Sequence, residues 1–490
     1  MSETPDNTPD NTPGNTPDNT QDNTQDLCRV SASNLLDLYE WKTVSPVDVT
    51  KAVFERIGAV DEHVNAFSLL NQEAALKSAA ESEQRWAKGE ARGAVDGVPV
   101  TIKDIVKSKD WPMLRGSKTS AGDQSLDEDS PAVARLREHG AIFVGRTTTP
   151  EFGWKGVTDS PLTGITRNPW DTSKTSGGSS GGAACAAALG MGALHIGTDG
   201  GGSVRIPAGF CGIFSLKPTS GRVPVYPASI FATLSHIGPM TRTVRDAALM
   251  MNVLIEPDSR DWYSLPYDPW DYRAGLDLGV RHLRIGLSVD LGYAEVDPEV
   301  AAAVRNAAKI FEDLGATVEE VDPIFPSPLE CFNAHWYLAV RRLVTSMPKE
   351  DRALIDPGLA ELVEDAASIT LDDYQDAIDE RVRLGQTMNA FHDTYDLLLT
   401  PTLPIPAFDA EHQVADPTRQ NRWPDWTPFS YPFNLTGQPA CSAPCGFTKS
   451  GLPIGLQIVG PRYSEPLVMR AAAAFESVQP FKMPSKPNPV

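Results

Sequence analysis

Apolar positions at four-residue spacing set the first readable element: after Ser45-Pro46, Val49, Val53 and Ile57 recur on one helical face. The serine and proline supply an N-cap and a first-turn residue. From Val98 to Val106 the pattern changes to β-branched residues with a proline inside, which predicts a strand and puts Lys103 on it or at its end. His282 to Val289 reads as a strand, and Asp297-Pro298 opens a helix carrying Val300, Val304, Ala307, Phe311 and Leu314, ended by Gly315. Val318 and Val321 then alternate as another strand. Strand, helix and strand in this order are the signature of an α/β sheet. Leu397 to Thr400 and Leu456 to Val459 suit buried strands, and Ser464-Glu465-Pro466 caps a final helix through Phe475. No repeat of 20 to 50 residues is visible in the folded part.

The fold is expected to begin near Leu27. Residues 1 to 26 repeat a four-residue unit, Asp-Asn-Thr-Pro drifting to Asp-Asn-Thr-Gln, and offer no apolar side chain beyond Met1 and the prolines. Such a segment cannot offset its ordering entropy by burial and is expected to be a disordered acidic tail, leaving 27 to 490 as one catalytic domain. Six acids fall in that tail, so most of the net charge of -21 belongs to the rest of the chain. That charge disfavours a wide cationic surface, and nucleic acid is not expected as a partner. The longest apolar runs are broken well short of the roughly 20 residues a spanning helix requires, and no basic-then-apolar leader opens the chain. The expectation is a cytoplasmic protein without a membrane partner. Six cysteines in 490 residues fit a reducing compartment, and Cys441 with Cys445 lacks the second pair that a zinc site needs.

The most unusual stretch runs from Thr175 to Ser203. Thr-Ser-Gly-Gly-Ser-Ser-Gly-Gly at 175 to 182 is followed by the helix-forming block Ala183 to Leu189 and then by Gly-Thr-Asp-Gly-Gly-Gly-Ser from 197. Glycines around serines let the backbone approach a ligand closely. A Gly/Ser linker would not run straight into a block of Ala and Leu. A phosphate cradle lacks the Gly-Lys-Ser/Thr ending. Gly178-Ser179-Ser180-Gly181-Gly182 fits G-x-S-x-G, but the turn-forming residues before it leave the nucleophile elbow without its strand. The one S-x-x-K, Ser346 to Lys349, contains a proline that spoils its helix.

Several segments together resemble the amidase signature family. They are Gly97-Val98-Pro99-Val100-Thr101-Ile102-Lys103-Asp104, Gly145-Arg146-Thr147 with Pro150-Glu151-Phe152, Arg167-Asn168-Pro169-Trp170, the two glycine clusters, Leu216-Lys217-Pro218-Thr219 and Asn434-Leu435-Thr436-Gly437-Gln438-Pro439. The resemblance runs from about residue 30 to 477. It implies a single large α/β domain with a mixed central sheet covered by helices on both faces, and a hydrolase of amide bonds working through a seryl acyl-enzyme. Carried over by motif, Ser203 is the nucleophile, Ser179 the bridging serine after a cis peptide bond from Gly178, and Lys103 the buried base. A serine hydroxyl must lose its proton to a base, and a lysine can be that base only when neutral, which burial favours. The resemblance places an oxyanion hole at Gly200, Gly201 and Gly202. A side chain is frequent in the family where this chain has Gly200, so a roomier entrance is expected. Asp199 and Arg205 flank the loop, either as a pair that holds it or as unrelated surface charges. His195 is read as a packed histidine rather than the base, and Thr148 replaces an asparagine usual in the family.

The same resemblance implies neither metal nor organic cofactor and a small-molecule amide or carbamate as the substrate, with a homodimer left open. Gly153 is placed where the family's backbone lines the cleft. Trp423, Trp426, Phe429 and Tyr431 crowd one loop before Asn434. Near a cleft they would favour an apolar or aromatic ligand, with Trp426 as a contact, and ordinary packing under a long loop is the other reading. The family also spans carbamate and ester hydrolases and the glutaminase subunit of tRNA-dependent amidotransferases. The last carries an acid near the position of Thr427, with Asp425 close by in this chain.

Overall fold

In the computed structural model the described residues are 1, 26–120, 126–321 and 324–484. The expectation for the N-terminal repeat falls on residues outside them, except Asp26, which accepts from Cys28 N–H and pairs with Arg56 at 2.7 Å. Among the described residues an eleven-stranded sheet forms the centre. Its order is Phe67–Leu70, Ile142–Thr147, Pro99–Lys103, Leu194–Asp199, His236–Thr241, Phe214–Lys217, Ala440–Phe447, Pro453–Val459, Leu397–Pro401, Arg284–Leu287 and Thr317–Glu320. Ile142–Thr147, Pro99–Lys103 and Leu194–Asp199 run parallel, as do the last three strands, and the pairs between these groups are antiparallel. The sheet is therefore mixed and is flanked by helices, as the resemblance implied.

Local chemistry accounts for the elements. Helix Pro46–Val64 opens on a reciprocal capping box between Ser45 and Asp48, closes on Asn65 in the left-handed region, and buries Val49, Val53, Ile57 and Val60. Strand Pro99–Lys103 is buried throughout and stops at Lys103, because Val106 N–H turns back to the Lys103 carbonyl. The expected extension to Val106 is thus a turn. Arg284–Leu287 and Thr317–Glu320 pair in parallel across helix Pro298–Asp313, the predicted unit. Helix Glu465–Val478 lies where expected, but Ser464 does not cap it: its hydroxyl donates to the Pro461 carbonyl instead.

Two apolar clusters hold the layers. One surrounds the sheet and includes helix Gly181–Leu189, whose nine residues are all buried. Being apolar on every side, this helix suits a wholly enclosed position, and its alanines let neighbouring backbones come close. The second cluster is rich in aromatics and lies under helices Leu329–Thr345, Pro357–Asp365 and Leu371–His392. Lys155, itself buried, pins this cover by an ion pair to Asp356 at 2.8 Å. All six cysteines are buried and free. No helix among the described residues is long and apolar enough to cross a membrane.

Candidate active site

Three adjacent parallel strands end at one place, the position where α/β sheets gather ligands. Pro99–Lys103 delivers Lys103, Ile142–Thr147 leads to Phe152 and Gly153, and Leu194–Asp199 leads to the Gly200–Ser203 loop. Ser179 and Ser180 enter from the turn before helix Gly181–Leu189, and the Gly178–Ser179 peptide bond is cis, as the resemblance implied. The Ser180 N–H donates to the Ser203 carbonyl, which ties the two glycine loops together.

Lys103 is fully buried, and its Nζ lies 2.6 Å from Ser179 Oγ, 2.9 Å from Ser180 Oγ and 3.0 Å from Thr198 Oγ1. Burial holds its pKa well below the ordinary lysine value, opposed in part by the charge of Asp199. A neutral amine has two N–H donors and one lone pair, which matches three hydroxyl neighbours of which one donates. Ser180 already donates to the Thr198 carbonyl at 3.2 Å and so accepts from the amine. Ser179 has the shortest contact and no other hydrogen bond among the described residues, so its proton is the one best placed to point at the lone pair. Ser203 Oγ makes no hydrogen bond among the described residues, and Ser203 and Ser179 line the same cavity.

The Gly200–Ser203 loop is held from beneath. Asp199 and Arg205 are both wholly buried and form a two-pronged ion pair at 2.9 and 3.0 Å, so the paired reading holds and the surface one does not. Burial alone would raise the Asp199 carboxyl, but Arg205, Lys217 and Asn434 outweigh it and keep it below its usual value. Arg205 further reaches the Ser430 carbonyl, Gln457 and Asn434. The Asp199 carboxylate also accepts the Gly202 N–H at 2.8 Å, which corrects the expectation for Gly202: that donor is already engaged. The N–H groups of Gly200, Gly201 and Ser203 make no hydrogen bond among the described residues and remain available to a ligand oxygen. No roomier entrance follows from Gly200 either, because a Cβ there would stand 3.0 Å from the Trp336 ring, which fills the space.

A cavity of about 530 Å³ opens over these groups, walled by apolar side chains such as Ile105, Phe152, Phe231, Ile237, Trp336 and Met347. Gly153 lies on this wall at φ +71°, and a Cβ on it would come within 3.3 Å of Ser179 Oγ. Trp426 does not line the cavity. It is fully buried, stacked on Phe210 and set edge-on to Phe408, with its indole N–H on the Gln413 carbonyl. Trp423, Phe429 and Tyr431 are likewise core residues, so the crowded loop packs the interior. Thr427 is buried with its hydroxyl on the Trp423 carbonyl, while Asp425 is exposed and caps its own turn through the Asn421 and Arg422 N–H groups. Among the described residues no carboxylate lines the cavity.

His195 is buried on the sheet beside Thr101, Nδ1 to Oγ1 2.9 Å, with its pKa pushed down to about 3 by burial; it does not touch the hydroxyl cluster. Thr148 shares a 2.6 Å hydrogen bond with Thr166. Sequence reasoning missed Ser180 and Thr198 as partners of the amine, and Trp336 and Phe231 as walls. The adjacent Ser-Ser pair was a usable signal for the first; the ring pair, stacked at 3.7 Å from distant segments, left none.

The chain is similar to known proteins over most of its length. Residues 48–469 match the amidase family. An acylamidase of Rhodococcus erythropolis is 36% identical over 459 residues, covering 92% of this chain and 96% of its own. A glutamyl-tRNA(Gln) amidotransferase chain of Alkaliphilus metalliredigens is 33% identical over 489 residues, covering 91% and 96%. Among solved structures, a bacterial aryl acylamidase of the amidase signature enzymes superposes with a TM-score of 0.86 at 32% identity, covering 92% of this chain and 96% of that one.

Proposed function

The chain belongs to the amidase family, and from that premise we propose that it hydrolyses apolar and aryl carboxamides through an acyl-enzyme on Ser203, with Lys103 as base and Ser179 as the relay. The observation that carries this reading is the buried Lys103 amine, kept toward its neutral form and set 2.6 Å from Ser179 Oγ at the floor of a cavity with apolar walls and Lys107 and Arg115 on its lining.

Ser179 passes its proton to the Lys103 lone pair and takes one from Ser203, whose oxygen bonds to the amide carbon. The carbonyl oxygen becomes an oxyanion beside the free N–H groups of Gly200 and Gly201; losing one such donor typically costs roughly 3–4 kcal/mol in the barrier. The proton then returns from Lys103 through Ser179 to the amide nitrogen, the C–N bond breaks, and the amine leaves. Water repeats the sequence on the ester and releases a carboxylate. The apolar wall with its Phe231 and Trp336 rings supports an apolar acyl or amine group.

A glutaminase role parallel to the amidotransferase relative needs an acid for the α-ammonium of glutamine. Thr427 and the outward-facing Asp425 do not supply one. The test is a turnover panel of an anilide, a carbamate, an ester and glutamine, run on the wild type and on Ser203→Ala. Anilide hydrolysis lost in the variant is the expected result, and glutamine-dependent ammonia release as the dominant activity overturns the substrate assignment.

A further inference from the structure

Helix Leu329–Thr345 has a cavity on each of two neighbouring faces. Trp336 and Leu343 face the cavity over Ser203, whereas His335, Leu338 and Arg342 line a second one of about 710 Å³ that contains neither Lys103, Ser179 nor Ser203. Ile230 and Phe231 belong to both walls. The second cavity gathers three guanidinium groups from separate segments: Arg342, Arg381 of helix Leu371–His392, and Arg462 beyond strand Pro453–Val459. Among the described residues no carboxylate lines it and none of the three arginines forms an ion pair. Arg381 uses Nε on the Leu435 carbonyl at 2.7 Å. It is held below its usual pKa, by burial first and with Arg462 adding repulsion. In a chain of net charge -21, three cations without an ion pair among the described residues, Arg462 resting on the Tyr463 ring at 4.8 Å, leave a site for an anion to fill.

We propose that this cavity binds an apolar carboxylate, its head group held by the forked guanidinium donors of Arg342 and Arg462 beside Arg381, and its tail against Leu338, Ile378 and Leu435. The choice of a carboxylate rests on the hydrolase reading, since that reaction releases one. The greasy wall argues for a tail and against a bare oxyanion.

Calorimetric titration of the full chain tests the site with octanoate, 1-octanol and inorganic phosphate. The wild type is expected to bind octanoate saturably and at least tenfold more tightly than either other probe. Arg342→Gln/Arg462→Gln is expected to lose that binding at least tenfold while its anilide turnover, measured without octanoate, is unchanged; both side chains are exposed, and circular dichroism checks the fold. The single variant Arg342→Gln should show a smaller loss in the same direction. Octanoate affinity unaltered in the double variant, or phosphate bound as tightly as octanoate, overturns the proposal. Binding is read independently of turnover, so an enzyme that hydrolysed no amide would sink the function and leave this site standing.

Discussion

Replacing Lys103 by methionine keeps an unbranched side chain one atom shorter and removes its amine. Proton transfer by a positioned base contributes about 10²–10⁴-fold to rate, and each tenfold corresponds to about 1.4 kcal/mol of barrier. The structure separates this loss from a loss of fold. Ser180 keeps its contacts with the Thr198 backbone, so two hydroxyls, those of Ser179 and Thr198, lose their partner, about 1 kcal/mol each. Against that, a buried amine disappears. Its folded pKa lies below its unfolded one, so between the two values the unfolded chain binds more protons and wild-type stability rises with pH. Methionine removes that slope, and the variant should gain relative stability toward the acid end of the window.

The assay is kcat and KM on an anilide across pH, with thermal unfolding in the same buffers. The wild-type kcat/KM should rise through one ionisation below the ordinary lysine value, because only the neutral amine can accept from Ser179. Lys103→Met should be slower by roughly 10²–10⁴ and lack that limb. Turnover within tenfold of the wild type, with the limb preserved, would refute the assignment of the base.

A sulfonyl fluoride should transfer its sulfonyl group to Ser203, with loss of fluoride, and to no other serine; an adduct mapped to Ser180, fully buried behind the amine, would speak for the elbow geometry instead. Asp199→Asn leaves Arg205 buried without its carboxylate and should cost about 3–5 kcal/mol of unfolding free energy, read by urea titration; a change under 1 kcal/mol counts against the loop anchor. Gly153→Ala forces a side chain into the left-handed region and against Ser179 Oγ, so kcat should fall roughly tenfold to a hundredfold with the protein still folded; unchanged kcat would show that Ser179 need not hold its place.

Much of the framework was legible from the chain. The Ser45-Pro46 start, the strand that carries Lys103 and the unit around helix Pro298–Asp313 follow from spacing and capping, which are local. The glycine loops stood out because glycine is needed where backbone closes on backbone: at Gly202, φ +133°, any Cβ would collide with Ser430. The Asp199–Arg205 pair was legible as two opposite charges on one loop. Other features depend on which way a loop side chain faces, and periodicity is silent there. Trp423 and Trp426 look alike in sequence, yet both belong to the core, while the rings that wall the cavity come from Trp336 and Phe231. Gly202 was misread for a related reason. Its N–H direction depends on the Asp199 carboxylate folding back under the loop, a contact across three residues that composition does not reveal.

The Asp199–Arg205 pair links the anchor to the electrostatics of the amine. Among the described residues Asp199 is the charged group that raises Lys103, and a free carboxylate there would favour the protonated lysine. Arg205 takes that carboxylate in two hydrogen bonds and brings a compensating positive charge, so the pull on Lys103 is weakened and burial prevails. The hydroxyls around Nζ carry no charge and suit a neutral amine. Helix Gly181–Leu189 adds no charged side chain to the interior behind them. The same ion pair thus fixes the loop bearing Ser203 and, under the proposed mechanism, leaves the amine able to accept a proton.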